Sequence, residues 1–249
     1  MARSRTRQAD LDHGIFAVLT GDVIESTELS TKELERAREV LSKATKRLSA
    51  MHTQAVRGEP EFFRGDSWQV LLAEPKWALR ASLLIRALLR AELGADTRIS
   101  IGIGVVDKIE YQVSMSTGEA FTLSGRALDK ITGYFELTGA LPDRAGALAP
   151  WFSVILHLCS GLIRSWTRRQ AEIVAKALML KDPTQDKGDP THEEIAKSLR
   201  PPVSKQTVTE SLTGANWRVL LEPLRAFENT NWTELITTNR LADRGINLS

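Results

Sequence analysis

The sequence predicts an α+β protein: a mainly antiparallel sheet with helices on one face, followed by a small all-α domain. Two observations carry this. In the first half, short apolar runs rich in branched and aromatic residues alternate with segments whose apolar residues recur at helical spacing, in the order strand, helix, hairpin, helix, strand, helix. After residue 150 the strand signals stop, and short capped helical segments follow one another.

Residues 1–13 read as a loose polar tail. Ile15–Gly21 reads as a buried strand that meets Gly21-Asp22 and a short polar loop. Ser30 with Glu33 is a capping box, opening a helix from Thr31 to about Met51 whose apolar stripe is Leu34, Ala37, Leu41, Ala44 and Leu48. Glu61–Leu72 holds two short strands around a tight turn at Gly65-Asp66-Ser67. Trp77, Ala81, Leu84, Ile85 and Leu88 mark a second amphipathic helix ending near Gly94.

Arg98–Val106 alternates strictly. Ile99, Ile101, Ile103 and Val105 fall on one face, and Ser100, Gly102 and Gly104 leave the other bare for a helix or a ligand to approach. A helix is expected from about Glu119. Residues 138–150, rich in Gly, Ala and Pro, read as a boundary, with a connector helix from Trp151 to Arg164. Then come a helix over Arg168–Leu180 and a polar loop at Asp182–Pro190. A second capping box, Thr191 with Glu194, opens a short helix to Leu199. Ser204 caps another, running to about Ala215, and a closing helix from Trp217 is bent by Pro223. The Asn- and Thr-rich end reads as a mobile tail.

Composition narrows the functions. The 249 residues suit one large domain or two ordinary ones, and 42% hydrophobic with 26% charged residues is the balance of a soluble globular chain. A net charge of +2 gives no overall basic field, so any nucleic-acid surface must be local. The single Cys159 excludes an intramolecular disulfide and a thiolate metal cluster, and His13, His52, His157 and His192 show no ligand spacing. The most apolar run, Trp151–Ile163, is too short to span a bilayer, and no apolar core directly follows the basic N-terminus. A cytoplasmic protein with no membrane partner is expected. No Ser–His–Asp or Cys–His constellation is evident.

Two stretches carry candidate chemistry. Asp22 ends a strand, and Val23, Ile24, Glu25, Ser26 and Thr27 form a loop leading into a helix, a place that suits a phosphate. Asp66 is held up by the hairpin turn. If the two strands lie side by side the carboxylates converge and suit a divalent cation, Mg²⁺ or Mn²⁺, beside a nucleotide's phosphates. The bland alternative is two Gly-Asp turn pairs. Later, two short helices with a tight turn between them, following the 168–180 helix, suggest a helix-turn-helix. Val203, Val208 and Leu212 would be its buried positions. Ser204, Lys205, Gln206, Thr207 and Thr209 would face DNA, with Glu210 also outward. The alternative there is a small structural bundle.

The first half resembles the catalytic domain of class III nucleotidyl cyclases, within the ferredoxin-like, palm-type fold shared with diguanylate cyclases. Gly21–Thr27 is similar to that family's first metal strand and phosphate loop, and Arg64-Gly65-Asp66 to its second metal carboxylate. Ile101-Gly102-Ile103-Gly104 is similar to its later strand, and Gly118–Arg126 to the helix carrying its transition-state arginine, which would be Arg126. The chain from about 15 to 229 more closely resembles the SatD family. The matching residues are Gly65-Asp66-Ser67-Trp68-Gln69, Trp166-Thr167-Arg168-Arg169-Gln170, Glu194-Ile195-Ala196 and Ser204–Val208. The resemblance implies a cyclase-like domain at 14–137, a linker and connector helix at 138–167, a helix-turn-helix domain at 168–230 and a tail at 231–249.

There are departures. Thr122 stands where cyclases carry an asparagine, Phe62 where they carry a purine-selecting lysine, and the other base-selecting position falls near Met115. Three functions follow as expectations: a DNA-binding regulator that senses a nucleotide with magnesium, a nucleotidyl cyclase or nucleotidyltransferase-type enzyme, or a nucleotide-independent DNA-binding or scaffold protein. A homodimer is expected.

Overall fold

The computed structural model describes residues 14–52, 55–63, 65–180 and 189–243. The tail 1–13, His13 within it, Arg64, most of the 182–190 loop and residues 244–249 lie outside them. The described residues form a mixed α+β fold with a curled sheet and nine helices. Its central strand is β1 (Ile15–Val23), buried throughout except at Asp22. A strand covered on both faces needs an apolar residue at nearly every position, which is why Ile15–Leu19 reads as an unbroken run.

On one side β1 pairs antiparallel with β3 (Ser67–Leu72), which pairs in turn with β2 (Val56–Phe63). On its other side lies β4 (Thr97–Lys108), also antiparallel, with the short β5 (Thr117–Gly118) beyond. β6 (Leu137–Ala140) runs parallel to β4.

The face bearing Ala17, Leu19, Ile99, Ile101 and Ile103 belongs to the main core, with α1 (Thr31–Met51) and α2 (Ala78–Leu93). Both expected capping elements are present: Ser30 and Glu33 hold each other's backbone N–H groups, and Gly94 ends α2 in the left-handed conformation.

A helix covers the opposite face as well, which corrects the one-sided arrangement. α3 (Glu119–Asp129) lies on the bare side of β4. A Cβ on Gly102 would stand 2.3 Å from the Ala120 carbonyl oxygen, so only glycine admits the helix. The Thr20 and Ser124 hydroxyls meet at 2.8 Å across that contact. The smaller core of Phe16, Val18, Leu71, Val106, Val113 and Ala120 lies here.

The stretch 138–150 is no spacer. It contains most of β6 and leads into α4 (Leu148–Arg164). Phe152, Leu156, Cys159 and Ile163 of α4 belong to the main core, and Gly139 lets Phe152 and Leu156 approach within 2.6 and 2.7 Å of where its Cβ would be. Small residues here serve close packing, and the same composition reads as a loop when met in sequence. The segment expected to be linker and connector is thus built into the sheet layer.

α5 (Arg168–Leu180) is buried along Ala171, Ile173, Val174, Ala177 and Leu178. α6 (His192–Ser198) opens with the expected Thr191–Glu194 capping box, and Ser204 caps α7 (Lys205–Gly214). α8 (Trp217–Asn229) contains Pro223. The expected tail instead forms α9 (Trp232–Asp243). Asn231 caps it, accepting from the Glu234 N–H at 3.2 Å, and Trp232 and Ile236 are buried. The Asn231–Glu234 cap stands in a stretch whose Asn- and Thr-rich composition reads as a tail. Phe152, Phe227 and Trp232 pack ring to ring, so buried residues of sheet and helices form one continuous cluster. Among the described residues no helix is long and apolar enough to cross a membrane.

Candidate functional site

Strand register brings the two aspartates together. Asp22 of β1 stands opposite Ser67 of β3, and the Val23 N–H donates to the Asp66 carbonyl oxygen at 3.2 Å. On its other side Asp22 stands opposite Arg98 of β4. The Arg98 guanidinium donates to both carboxylate oxygens, Nε to Oδ1 at 2.7 Å and Nη2 to Oδ2 at 2.6 Å. This fork-on-fork pair is the strong form of an ion pair. The hydrogen bonds to Asp22 hold the Arg98 guanidinium above its ordinary value; partial burial opposes this, and the charges of Asp22 and Asp66 add to the rise.

The pair rests on a buried frame. Trp68 Nε1 donates to Thr97 Oγ1 at 3.0 Å, and Thr97 Oγ1 donates to the Asp22 carbonyl oxygen at 2.6 Å. Gly21 lets the Trp68 ring lie against the strand, since a Cβ there would be 2.4 Å from it. α1 steadies the hairpin turn, with Arg38 Nη2 donating to the Gly65 carbonyl oxygen at 2.7 Å.

The loop after Asp22 closes on Asp66. Ser26 Oγ donates to Asp66 Oδ2 at 2.5 Å. The Val23 and Ile24 N–H groups are used, toward Asp66 and Asp96. Those of Glu25, Ser26 and Thr27 donate to no described residue. Glu25 is left-handed at φ 55°, and a helical turn, Ser26–Glu28, follows. Left-handed then right-handed residues in succession point their N–H groups into a common concavity, which suits an anion.

Arg126 lies elsewhere. It is exposed on α3 and lines a cleft of about 540 Å³ with Lys130, Phe135, Thr138, Ser153 and His157; neither the 22–27 loop nor the hairpin turn contributes to it. Phe135 stacks on His157 at 4.1 Å, and burial pushes the His157 imidazole down from its ordinary value. Thr122 bonds its own helix, through the Gly118 carbonyl oxygen at 3.3 Å. Phe62 lies under the Arg38 guanidinium, and Met115 is exposed.

In the helical half Val208 and Leu212 are buried, as the pattern requires, and Val203 is half-buried. Ser204, Lys205, Gln206 and Thr209 are exposed, with Thr207 half-buried. Several have partners already: Gln206 bonds Glu210 at 2.8 Å, Thr209 meets His192 Nδ1 at 2.7 Å, and Ser204 caps through the Thr207 N–H.

A divalent cation prefers hard oxygen donors, and Asp22, Asp66 and the Ser26 hydroxyl supply them. The place suits positive charge, since the Arg98 cation already sits there in the field of both carboxylates. Among the described residues no group of three or more His, Cys, Asp or Glu is gathered for a metal. An ion would therefore need further oxygens from a ligand or solvent.

Arg98 was missed in sequence. Only its place at the start of the alternating strand hinted at it, and the register with Asp22 is a tertiary fact. No protein-family model matches the chain, and no curated protein matches it.

Proposed function

We propose that this chain is a DNA-binding regulatory protein whose sheet half binds a nucleotide's phosphates with Mg²⁺ or Mn²⁺. The observation that carries the reading is the strand register that sets Asp22 beside Asp66, next to the N–H groups of Glu25, Ser26 and Thr27, which donate to no described residue. Asp22 and Asp66 would hold the ion, and the Val23–Thr27 loop would hold phosphate oxygens. When bound, the ion neutralises phosphate charge. Ser26 would keep Asp66 oriented through its hydroxyl. The SatD-like resemblance adds the second half of the reading.

DNA would meet the N-terminal part of α7, where Lys205 supplies charge and Ser204, Gln206, Thr207 and Thr209 supply amide and hydroxyl groups. The exposed apolar stripe of Trp151, Val154 and Leu158 on α4 supports a partner surface, consistent with a homodimer.

A second reading is a nucleotidyl cyclase-type enzyme, in which Arg126 would stabilise developing charge. Arg126 is exposed and lines an open cleft with Lys130, a place where two cations face any anion that enters. Because it lines a separate cleft, that reading requires a second copy to complete the site.

Calorimetric titration of each common nucleoside triphosphate with Mg²⁺ into the full chain, beside the Asp22→Ala/Asp66→Ala variant, tests the site. Saturable binding lost in the variant is expected. Fluorescence anisotropy with random duplex DNA, at two salt concentrations, tests the other half. Lys205→Ala should weaken binding and shallow its salt dependence. Product formation that disappears in Arg126→Ala would favour the enzyme. No nucleotide heat, with DNA binding intact, would leave only the nucleotide-independent DNA-binding reading.

A further inference from the structure

Both oxygens of Asp22 are already engaged. Arg98 reaches them from the neighbouring strand with a two-point fork, and the strands fix the two backbones opposite each other. The Asp22 side chain is only 15% exposed, whereas that of Arg98 is 44% exposed. The carboxylate is therefore pinned by its strand, while the guanidinium has open space into which it can swing.

A bare divalent ion arriving at Asp22 would break two charge-assisted hydrogen bonds and set its own charge beside a displaced cation. A triphosphate changes this balance. Its oxygens match the planar guanidinium fork as well as a carboxylate does, so Arg98 exchanges one two-point partner for another. The ion can then take the carboxylates without facing an unpaired cation.

We propose that Arg98 is the stand-in cation of this site and its phosphate-specificity residue, pairing with Asp22 until a divalent ion and a polyphosphate arrive together. The site then admits metal only in company with polyphosphate, and Arg98 moves from the carboxylate to a phosphate oxygen. This rests on the phosphate-and-cation reading above and adds an order of binding to it.

The test uses the full chain, Mn²⁺ alone and Mn²⁺ with inorganic tripolyphosphate, which leaves base recognition out of the measurement. Binding of Mn²⁺ alone is followed by electron paramagnetic resonance of the free ion. Binding of the Mn²⁺–tripolyphosphate complex is followed by equilibrium dialysis of its phosphate, because tripolyphosphate itself removes Mn²⁺ from the free pool. Folding of every variant is followed by circular dichroism. The wild type should show no saturable binding of Mn²⁺ alone below millimolar concentrations, and saturable binding once tripolyphosphate is added. Arg98→Met should bind Mn²⁺ alone at least tenfold more tightly than the wild type and lose most of the gain from tripolyphosphate. Arg98→Lys, which keeps the charge but not the fork, should keep free Mn²⁺ weak and also lose tripolyphosphate affinity.

Mn²⁺ alone bound equally well by the wild type and Arg98→Met, and lost in Asp22→Asn, would overturn the role of Arg98 while leaving the cation site standing. No Mn²⁺ binding by any of these proteins, with or without tripolyphosphate, would overturn the cation site itself and this inference with it.

Discussion

The indole Nε1 of Trp166 donates to the carbonyl oxygen of Ala215 at 2.9 Å, inside the core. This bond ties the end of the sheet-packed segment to the turn after α7. Two further contacts meet at the same place. Arg90 Nη1 of α2 donates to the Trp166 carbonyl oxygen at 3.3 Å, and Thr167 accepts from the Gln170 N–H at 3.2 Å to begin α5. The Trp-Thr-x-Arg-Gln motif is thus a structural joint. Trp166→Phe keeps most of the ring and removes the donor, leaving the Ala215 carbonyl oxygen without its partner. A loss of about 1–3 kcal/mol is expected, read as a lower urea midpoint at unchanged slope.

Arg80 and Glu228 form a second tie, between α2 and α8. Arg80 Nε donates to Glu228 Oε1 at 2.6 Å, and Nη1 donates to the Leu178 carbonyl oxygen at 2.9 Å. The two side chains are 1% and 8% exposed. Removing one partner strands a buried charge, so Glu228→Ala should cost about 3–5 kcal/mol. Replacing both, Arg80→Met with Glu228→Leu, should cost less than Glu228→Ala alone. Chemical denaturation of the wild type, Arg80→Met, Glu228→Leu and the double variant closes the cycle, with Glu228→Ala measured beside them.

Asp96 makes stability fall in acid. Burial alone would raise its carboxyl, but the charge of Arg86 and its hydrogen bonds, then the charge of Arg90 and the Thr97 N–H, outweigh burial and hold it below the usual carboxylate range. The folded value is depressed. Its contribution is therefore complete above the unfolded value of about 3.9 and is lost as pH falls through the folded one. Urea midpoints from pH 7 down to pH 3 should fall most steeply at the acid end. Asp96→Asn should flatten that limb and lower stability at pH 7 by about 3–5 kcal/mol, since Arg86 and Arg90 lose their shared anion.

Local patterns were legible where a residue's neighbours in sequence are also its partners. Ser30–Glu33 and Thr191–Glu194 announced their helices because a cap is a contact across three residues. The alternation of Ile99, Ile101 and Ile103 announced a two-faced strand for the same reason. Long-range facts were hidden. Gly139 and its small neighbours looked like a boundary, because nothing in sequence shows that Phe152 and Leu156 fill the missing side chain's place. Arg98 showed only its place at the start of an alternating strand, since its partner lies 76 positions earlier and only register joins them. Asp22 and Asp66 were legible as turn carboxylates; that a cation of the chain itself already answers Asp22 was not.

Two glycines should respond to alanine with opposite signs. At Gly21 a Cβ would lie 2.4 Å from both the Arg98 carbonyl oxygen and the Trp68 ring, so the β1–β4 pairing or the buried indole has to shift. Gly21→Ala should cost about 1–3 kcal/mol and loosen the frame under Asp22. Gly125 sits within α3 with nothing within 4 Å of its missing Cβ. There alanine only reduces the freedom of the unfolded chain, and Gly125→Ala should stabilise by about 0.5–1 kcal/mol. Thermal denaturation of the two variants beside the wild type reads both signs. A stabilised Gly21→Ala would mean that Trp68 does not lie against the strand, and the frame that aims Asp22 at Arg98 would have to be redrawn.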